Sequence, residues 1–444
     1  GKPMGAEQSA PAPSHHGLSP AETHAAVRSI GSDSSPQAVA SARDLLNLVD
    51  PGLRAFVPAI FIGLVCAGKD GEASHPTRGE LEVPLGDFLA GVGAVCHEPR
   101  QLAVRCLLEA LSDTDAGVSE HAITSFLIML MQIKFRSTEQ EPVPHFHLVH
   151  GLLRLEGFPV PASLATAAVV GHLPDAGDIF VSWLGYLLLG QPAPALVDIT
   201  RSRVAAPEDL LPLVLRRPEF TQFPWKPLYL DWRDGRSFFR LTQGVLHYPG
   251  PTLVLCRSGE NCFGAVVGCP WEETGAKYRG SGDFLLFQIS PKYNELHTSG
   301  RGGNLMYFNT KMSHMPSGLG FGGQQGAARL WLPADFQEAH SVISDATFEK
   351  GCLVGNTEDF MVRFSMDVLE VWGAGGAEAD QSQGQRMQVD ASTRQSARKV
   401  DRARLMENSF DKEVLFEKTF KSADGSRHVQ ENDEGLTGAS RSVG

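Results

Sequence analysis

A change of texture near Leu228 limits how this chain can fold more than any other feature does. Before it, apolar residues recur at helical spacing. After it, short β-type runs alternate with Gly-rich turns, at Thr252–Cys256, Cys262–Val267, Asp283–Ile289, Asn304–Asn309, Ala328–Leu332 and Met361–Trp372. Five of the six tryptophans lie between Trp225 and Trp372. Strands this frequent, with no long helix between them, must find antiparallel partners. The second half therefore predicts an antiparallel sheet or sandwich rather than a doubly wound fold. Ser258-Gly259-Glu260-Asn261 is a hairpin signal between the first two runs.

The first half predicts helices. Ser19-Pro20-Ala21-Glu22 is a capping box with Pro at the first helical position. Further helices are expected at Gln37–Leu48, Leu53–Cys66, Leu85–Val95, Gln101–Leu111 and Ser119–Ile133, a set of short helix–loop–helix pairs over residues 18–135. Residues 136–202 continue as a helical connecting region. The apolar runs Ala55–Gly68, Ile123–Ile133 and Ile179–Val197 are too short or too interrupted to span a bilayer and are expected as buried helices. Asp113 and Asp115 begin like a calcium loop. With Asp113 first, however, the twelfth position is Thr124, so the bidentate Glu is missing and no calcium is expected. An EF-hand-like fold without ions fits. His145, His147 and His150 have metal-like spacing, but neither helix nor strand puts all three on one face.

With 444 residues, two or three units are expected, and 42% hydrophobic against 20% charged residues fits a globular chain. The net charge of −12 is concentrated in residues 1–202, which carry −9. Nucleic acid is therefore not an expected partner. Seven scattered cysteines with no CxxC argue against a disulfide framework and a CxxC-type zinc site.

Catalytic signatures are sparse. Gly318, Gly320 and Gly323 satisfy G-x-G-x-x-G, but the run leads into the strand-like Arg329–Leu332 rather than a helix. Close backbone packing is the expected role, not nucleotide binding. No G-x-S-x-G, HExxH or P-loop motif occurs. No catalytic, cofactor or metal residues are assigned.

The ends carry their own signals. Residues 1–17 form an arm in which Met4-Gly5-Ala6-Glu7-Gln8-Ser9 fits a myristoylation pattern with Gly5 as acceptor. One such chain binds membranes only weakly, so a second contact is needed. Residues 375–392 are expected as a linker, 393–421 as a C-terminal helix and 422–444 as a disordered tail. Val400, Ala403, Met406, Phe410 and Val414 form one apolar stripe on that helix. Arg394, Arg398, Lys399, Arg402 and Arg404 crowd its first turns against the macrodipole, which suits docking to a partner.

The second half resembles the TLDc family. The stretches that carry the resemblance are Leu228–Phe238, Gly250–Leu255, Phe263-Gly264-Ala265, Pro270-Trp271, Gly280–Phe287, Gly318–Gly323, Leu330-Trp331-Leu332, Glu358-Asp359-Phe360 and Leu369–Trp372. The layout is similar to the lysosomal, mTOR-associated type within that family, which is myristoylated and has an EF-hand-like region, TLDc and a C-terminal helix. The resemblance implies an α+β chain, with a TLDc two-sheet antiparallel sandwich and flanking helices at 203–374. Trp271, Gly320, Gly322, Gly323, Trp331, Glu358 and Asp359 are then mainly fold-defining positions, with Glu358 and Asp359 either structural caps or surface ligands. It further implies a non-catalytic regulator that binds the peripheral stalk of the V1 catalytic sector of the vacuolar proton pump (V-ATPase). That docking would be on the cytosolic face of lysosomal or other acidic-organelle membranes. The C-terminal helix, with Arg398, Lys399, Arg402, Met406, Phe410 and Val414, would reach further V1 subunits. A redox or other oxidative-stress-protective activity and a membrane-recruited mTOR scaffold are the alternatives. Ala265 departs from the family pattern, where a second Gly is usual.

Overall fold

The structure, a computed structural model, describes residues 17–31, 38–68, 82–112, 117–135, 153, 155, 157–280, 283–355 and 359–407; the side chains of 208, 394, 397, 398 and 400–407 are not included. Gly1–Gln383 and Gly384–Gly444 are two compact units.

Helix α1 (Pro20–Ser29) begins at the expected capping box. The Glu22 N–H donates to the Ser19 hydroxyl at 3.3 Å, and the Ser19 N–H donates to the Glu22 carboxylate at 2.9 Å. There follow α2 (Ala42–Leu48), α3 (Val57–Ala67), α4 (Leu85–His97), α5 (Arg100–Leu111), α6 (Glu120–Phe135), α7 (Ala162–His172) and α8 (Ala176–Leu189). The three apolar runs become α3, α6 and α8, and α8 stops at Gly190, whose φ of 68° is left-handed, just before Gln191-Pro192. Among the described residues no helix is long and apolar enough to cross a membrane.

Short strands join these helices in pairs. β1 (Val39–Ser41) pairs antiparallel with β2 (Glu82–Pro84), and Val118 bridges Val160 in the same sense. Each bridge links two helix–loop–helix units, the connectivity of an EF-hand-like region. Thr124, the twelfth position of the calcium-like loop, lies on α6 and its hydroxyl donates to the Glu120 carbonyl at 3.0 Å. Asp113 and Asp115 lie outside the described residues, as do His145, His147 and His150. Helices α3 and α4 cross with Gly91 against the Leu64 carbonyl and with Phe61 stacked on Phe88 at 5.7 Å.

The second half begins with α9 (Pro207–Arg216), β3 (Lys226–Leu230), α10 (Asp231–Asp234) and α11 (Phe238–Val245). A six-stranded antiparallel sheet then has the order β3-β13-β4-β5-β6-β7, from β4 (Thr252–Ser258), β5 (Asn261–Val267), β6 (Phe284–Ser290), β7 (Asn294–His297) and β13 (Val368–Gly373). A five-stranded antiparallel sheet has the order β12-β11-β10-β9-β8, from β8 (Met306–Asn309), β9 (Gly318–Phe321), β10 (Leu330–Pro333), β11 (Glu338–Val342) and β12 (Met361–Ser365).

Strand periodicity explains why the six-stranded sheet is apolar on both faces. Leu253, Leu255, Val266, Leu285, Phe287 and Trp372 point to one side and share a core with the helices. Val254, Cys256, Ala265, Val267, Leu286 and Val371 point to the other. There they meet Phe308, Leu319, Phe321, Leu330 and Leu332 of the second sheet. The order is helices, six-stranded sheet, five-stranded sheet.

Three expectations change. The Met361–Trp372 run is two strands in different sheets, because the chain crosses over at Met366-Asp367. There the Asp367 N–H donates to the Arg257 carbonyl at 2.8 Å and the Asp367 carboxylate takes the Gly259 N–H at 2.6 Å. Gly318–Phe321 is a strand although it was expected only as a packing loop. The segment 375–392 is helical, not a linker: α12 runs Gly376–Glu407. Its first turns pack on the TLDc-like half, since Ala379 is buried and Gln383 donates to the Gly244 and Leu246 carbonyls at 2.8 and 3.1 Å.

Candidate functional site

The most connected polar group of the central sheet is Glu370, in the middle of β13 and fully buried. Its side chain points to the helical face, as Trp372 does two residues on. The Ser202 hydroxyl and Arg203 N–H each donate to it at 2.7 Å, the Trp372 indole at 3.0 Å and the Trp232 indole at 3.2 Å. A buried carboxylate needs such a set of donors to offset its lost hydration. The Arg203 guanidinium lies over the Trp232 ring, 4.4 Å from its centroid. Beside it the Val204 carbonyl takes hydrogen bonds from Arg257 at 3.0 Å and from the Cys262 thiol at 3.3 Å. Glu370 therefore holds the 202–205 segment on the sheet. Sequence reasoning quoted Glu370 within Leu369–Trp372 but gave it no role. A lone acid between apolar strand residues was the available signal.

The glycine run is a strand and its exit turn. Register places Gly320 opposite Tyr307 on β8 and opposite Trp331 on β10. With no side chain between them, the two rings meet above Gly320 with centroids 5.8 Å apart. The row continues from Trp331 to His340, whose ring is 6.4 Å away, and on to Arg363. Burial lowers the His340 pKa, with Arg363 acting in the same direction. Gly322 and Gly323 then turn the chain with φ of 62° and 66°. The Gly323 N–H donates to the Asp345 carboxylate at 2.8 Å, and Asp345 also takes the N–H groups of Thr347 and Phe348. A nucleotide phosphate brought to that amide would meet a carboxylate, so the geometry is that of packing. Buried Arg329 closes the arrangement, 3.6 Å from Asp345 and donating to the Glu349 and Gly351 carbonyls. Burial lowers its pKa to about 10.

The other motif residues divide by burial. Trp271 is fully buried, donates to the Thr252 hydroxyl at 2.9 Å and packs edge-on against Phe308. Asp359 is exposed at the entry to edge strand β12, and Glu358 lies outside the described residues. Lys399 is exposed on α12; the side chains of Arg398, Arg402 and Met406 are not described. Phe410, Val414 and Gly5 lie outside the described residues. Among the described motif residues, Trp271, Gly320, Gly322, Gly323 and Trp331 thus serve the packing of the two sheets and the turn between strands.

Four of the seven thiols are suppressed by burial. Burial pushes Cys256 well above the ordinary thiol range, raises Cys262, and brings Cys96 and Cys106 to about 11. A thiolate nucleophile needs the opposite shift. Cys269 is also buried, and Cys66 and Cys352 are half-buried. Among the described residues no group of three or more His, Cys, Asp or Glu is placed to hold a metal.

The order of strands, the buried Trp271, the Gly320–Gly323 turn and the Glu370 hub all fall in one stretch, and the TLDc family profile matches that stretch, residues 200–375. Residues 200–375 are a TLDc domain. The matched stretch includes Ser202 and Arg203, so the clamp on Glu370 is internal to the TLDc domain. The chain is similar to a zebrafish (Danio rerio) protein named MTOR-associated protein MEAK7, 32% identical over 45% of this chain and 45% of that protein. Its mouse (Mus musculus) counterpart is 34% identical over 36% of this chain and 34% of that protein. A fungal protein named Restriction of telomere capping protein 5, from Colletotrichum graminicola, is 26% identical over 40% of this chain and 37% of its own length. The chain spans less than half the length of each of these relatives.

Proposed function

We propose that this chain is a non-catalytic regulatory protein that docks through its TLDc domain on the peripheral stalk of the V1 sector of the vacuolar proton-pumping ATPase. The observation that carries the proposal is the TLDc domain itself. Its Trp271, Gly320, Gly322, Gly323 and Trp331 serve packing, and burial raises the Cys256 and Cys262 thiols. Helix α12 supports a second contact, because Lys399 in its basic stretch is exposed. Docking would take place on the cytosolic face of lysosomal membranes, with a myristoyl group on Gly5 adding weak membrane affinity.

The test is co-elution of the full chain with purified V1. A chain ending at Gln383 keeps the Gln383 hydrogen bonds and should bind more weakly. Removal of residues 200–375 should abolish binding; undiminished co-elution without them would sink the proposal.

A second function is compatible with the first: recruitment of an mTOR signalling assembly at the membrane. It is favoured by the name shared by the zebrafish and mouse relatives. Gly5→Ala should then disperse the protein from membranes while leaving V1 binding in solution intact. Unchanged membrane localisation would remove the lipid arm from the scheme.

A further inference from the structure

Among the described residues, strand β12 has no strand or bridge on its outer side. The other three edges of the two TLDc sheets are covered. Along β8, Arg279 and Met306 exchange N–H···O bonds of 2.7 Å each, and the Thr274 N–H donates to the Phe308 carbonyl at 2.8 Å. At the end of β7, the Glu349 N–H donates to the His297 carbonyl at 2.9 Å, and Thr298 bridges Phe348. Helix α11 lies across β3, with Gly244 against the Leu228 carbonyl. An edge strand left open presents its peptide groups as a template for another strand.

The ladder shows which groups β12 turns outward. The Ile343 N–H donates to the Phe360 carbonyl at 3.0 Å, so the Phe360 carbonyl faces β11. Alternation then turns Val362 and Phe364 towards β11 as well. The N–H and C=O groups of Met361, Arg363 and Ser365 point away from the sheet. Side chains flank this edge on both faces. Asp359, Met361 and Arg363 alternate onto one face, and both charged residues are exposed. Phe360 and Val362 share the other face. Phe360 is 61% exposed, while half-buried Val362 packs on the sandwich core.

We propose that β12 pairs antiparallel with β12 of a second copy of this chain, in a two-fold register centred on Met361. Charge complementarity selects both the occupant and the register. Centring on Met361 sets Arg363 opposite Asp359 of the second copy, and symmetry repeats the pair. The long Arg363 side chain reaches across the bend at Phe360. Centring on Arg363 would oppose two guanidinium groups, and centring on Val362 would set Arg363 against Met361. On the other face the Met361 register lays Phe360 over Val362 of the second copy, which covers the exposed ring. Arg363 already pairs with Glu338 on β11, but both side chains are exposed and such a pair holds the guanidinium only weakly. This inference is independent of pump docking.

The test is sedimentation equilibrium of the full chain from about 1 μM to about 1 mM, the range of weak association. The mass should rise with concentration from 48.0 kDa towards twice that value. A mass that stays at 48.0 kDa throughout overturns the proposal and leaves the edge to a strand of another protein. Met361→Pro removes an outward N–H and no bond to β11, so it should leave the chain monomeric. Asp359→Arg opposes like charges at both symmetric pairs and should weaken the dimer about tenfold or more. Asp359→Arg with Arg363→Asp restores opposite charges and should restore the dimer. Both charged positions are exposed, so unchanged melting temperatures verify the fold of these two variants. A dimer that persists in Met361→Pro overturns β12 as the contact. Asp359→Arg pairing as well as wild type, or a double exchange that stays monomeric, overturns the register.

Discussion

The Ser202 hydroxyl stands 2.7 Å from the carboxylate of Glu370, 168 residues further along the chain. Around that contact the carboxylate gathers donors from β13, from Trp232 and from the loop that leaves the helical half. The helices and the sheet share an apolar core, but an apolar contact is non-directional. The Glu370 hub supplies direction, and so fixes where the chain enters the TLDc domain.

Glu370→Leu is expected to be among the most damaging substitutions. It leaves the Ser202 hydroxyl, the Arg203 N–H and two indole N–H groups facing an apolar side chain. Breaking a buried charged network by removing one partner costs about 3–5 kcal/mol. Glu370→Gln keeps one acceptor oxygen but turns an N–H group towards donors, and should cost about 1–3 kcal/mol. Urea unfolding at neutral pH checks both. Equal stability of wild type and Glu370→Leu would show that water replaces the carboxylate.

Gly91→Ala tests the crossing of α3 and α4. A Cβ at that position would stand 1.9 Å from the Leu64 carbonyl oxygen, a backbone atom that cannot swing aside. The helices must separate, which also loosens the Phe61–Phe88 stack. Overpacking of this kind costs about 1–3 kcal/mol and sometimes more. Ala elsewhere in a helix is favourable by about 1 kcal/mol over Gly, so the sign of the change is the informative result. Thermal unfolding should show a lowered midpoint.

Much of this architecture was legible before any coordinates. The Ser19–Glu22 capping box, the helical first half and the hairpin at Gly259-Glu260 are local signals, and local signals survive in sequence. The division of 361–373 between two sheets was not legible, since both halves have the same β-type composition. Only the contacts of Asp367 with Arg257 and Gly259 decide it. Gly318–Phe321 hid its strand because glycine has low strand preference; neighbouring Tyr307 and Trp331 make the position favourable. Glu370 was hidden for a different reason. Its partners Ser202 and Trp232 lie 168 and 138 residues away, beyond any periodicity.

Thiol labelling separates a docking protein from a redox protein. Cys96, Cys106, Cys256, Cys262 and Cys269 are buried, whereas Cys66 and Cys352 are half-buried. Burial pushes up the first four of the buried thiols, so little thiolate is present at neutral pH. A short pulse of N-ethylmaleimide on the native chain, followed by peptide mass spectrometry, should mark Cys66 and Cys352 well before the rest. Rapid labelling of Cys256 would contradict the buried placement and revive a redox role for the sheet.

Lys134 gives the chain a pH dependence of unusual sign. Its side chain is almost fully buried, and its ammonium group donates to the Ala195 and Thr221 carbonyls. Burial lowers its pKa to about 8, while Asp175 opposes the shift. The unfolded value is about 10.4. Below pH 8 the amine is protonated in both states, and the folded state bears the cost of a desolvated charge. Between about pH 8 and 10.4 the unfolded chain holds more protons, so stability rises with pH. The neutral amine still has two hydrogens for the two carbonyls, so those bonds persist. One pKa unit corresponds to about 1.4 kcal/mol, which sets the expected gain at about 2–3 kcal/mol. Lys134→Met removes the titrating group and should lack this gain, although it leaves both carbonyls without their donor. Urea unfolding of both chains at pH 7.5 and pH 10 isolates the effect, because other titrating groups are common to the two. Wild-type stability should climb relative to the variant; parallel behaviour would mean that Lys134 is solvated as an ordinary surface lysine.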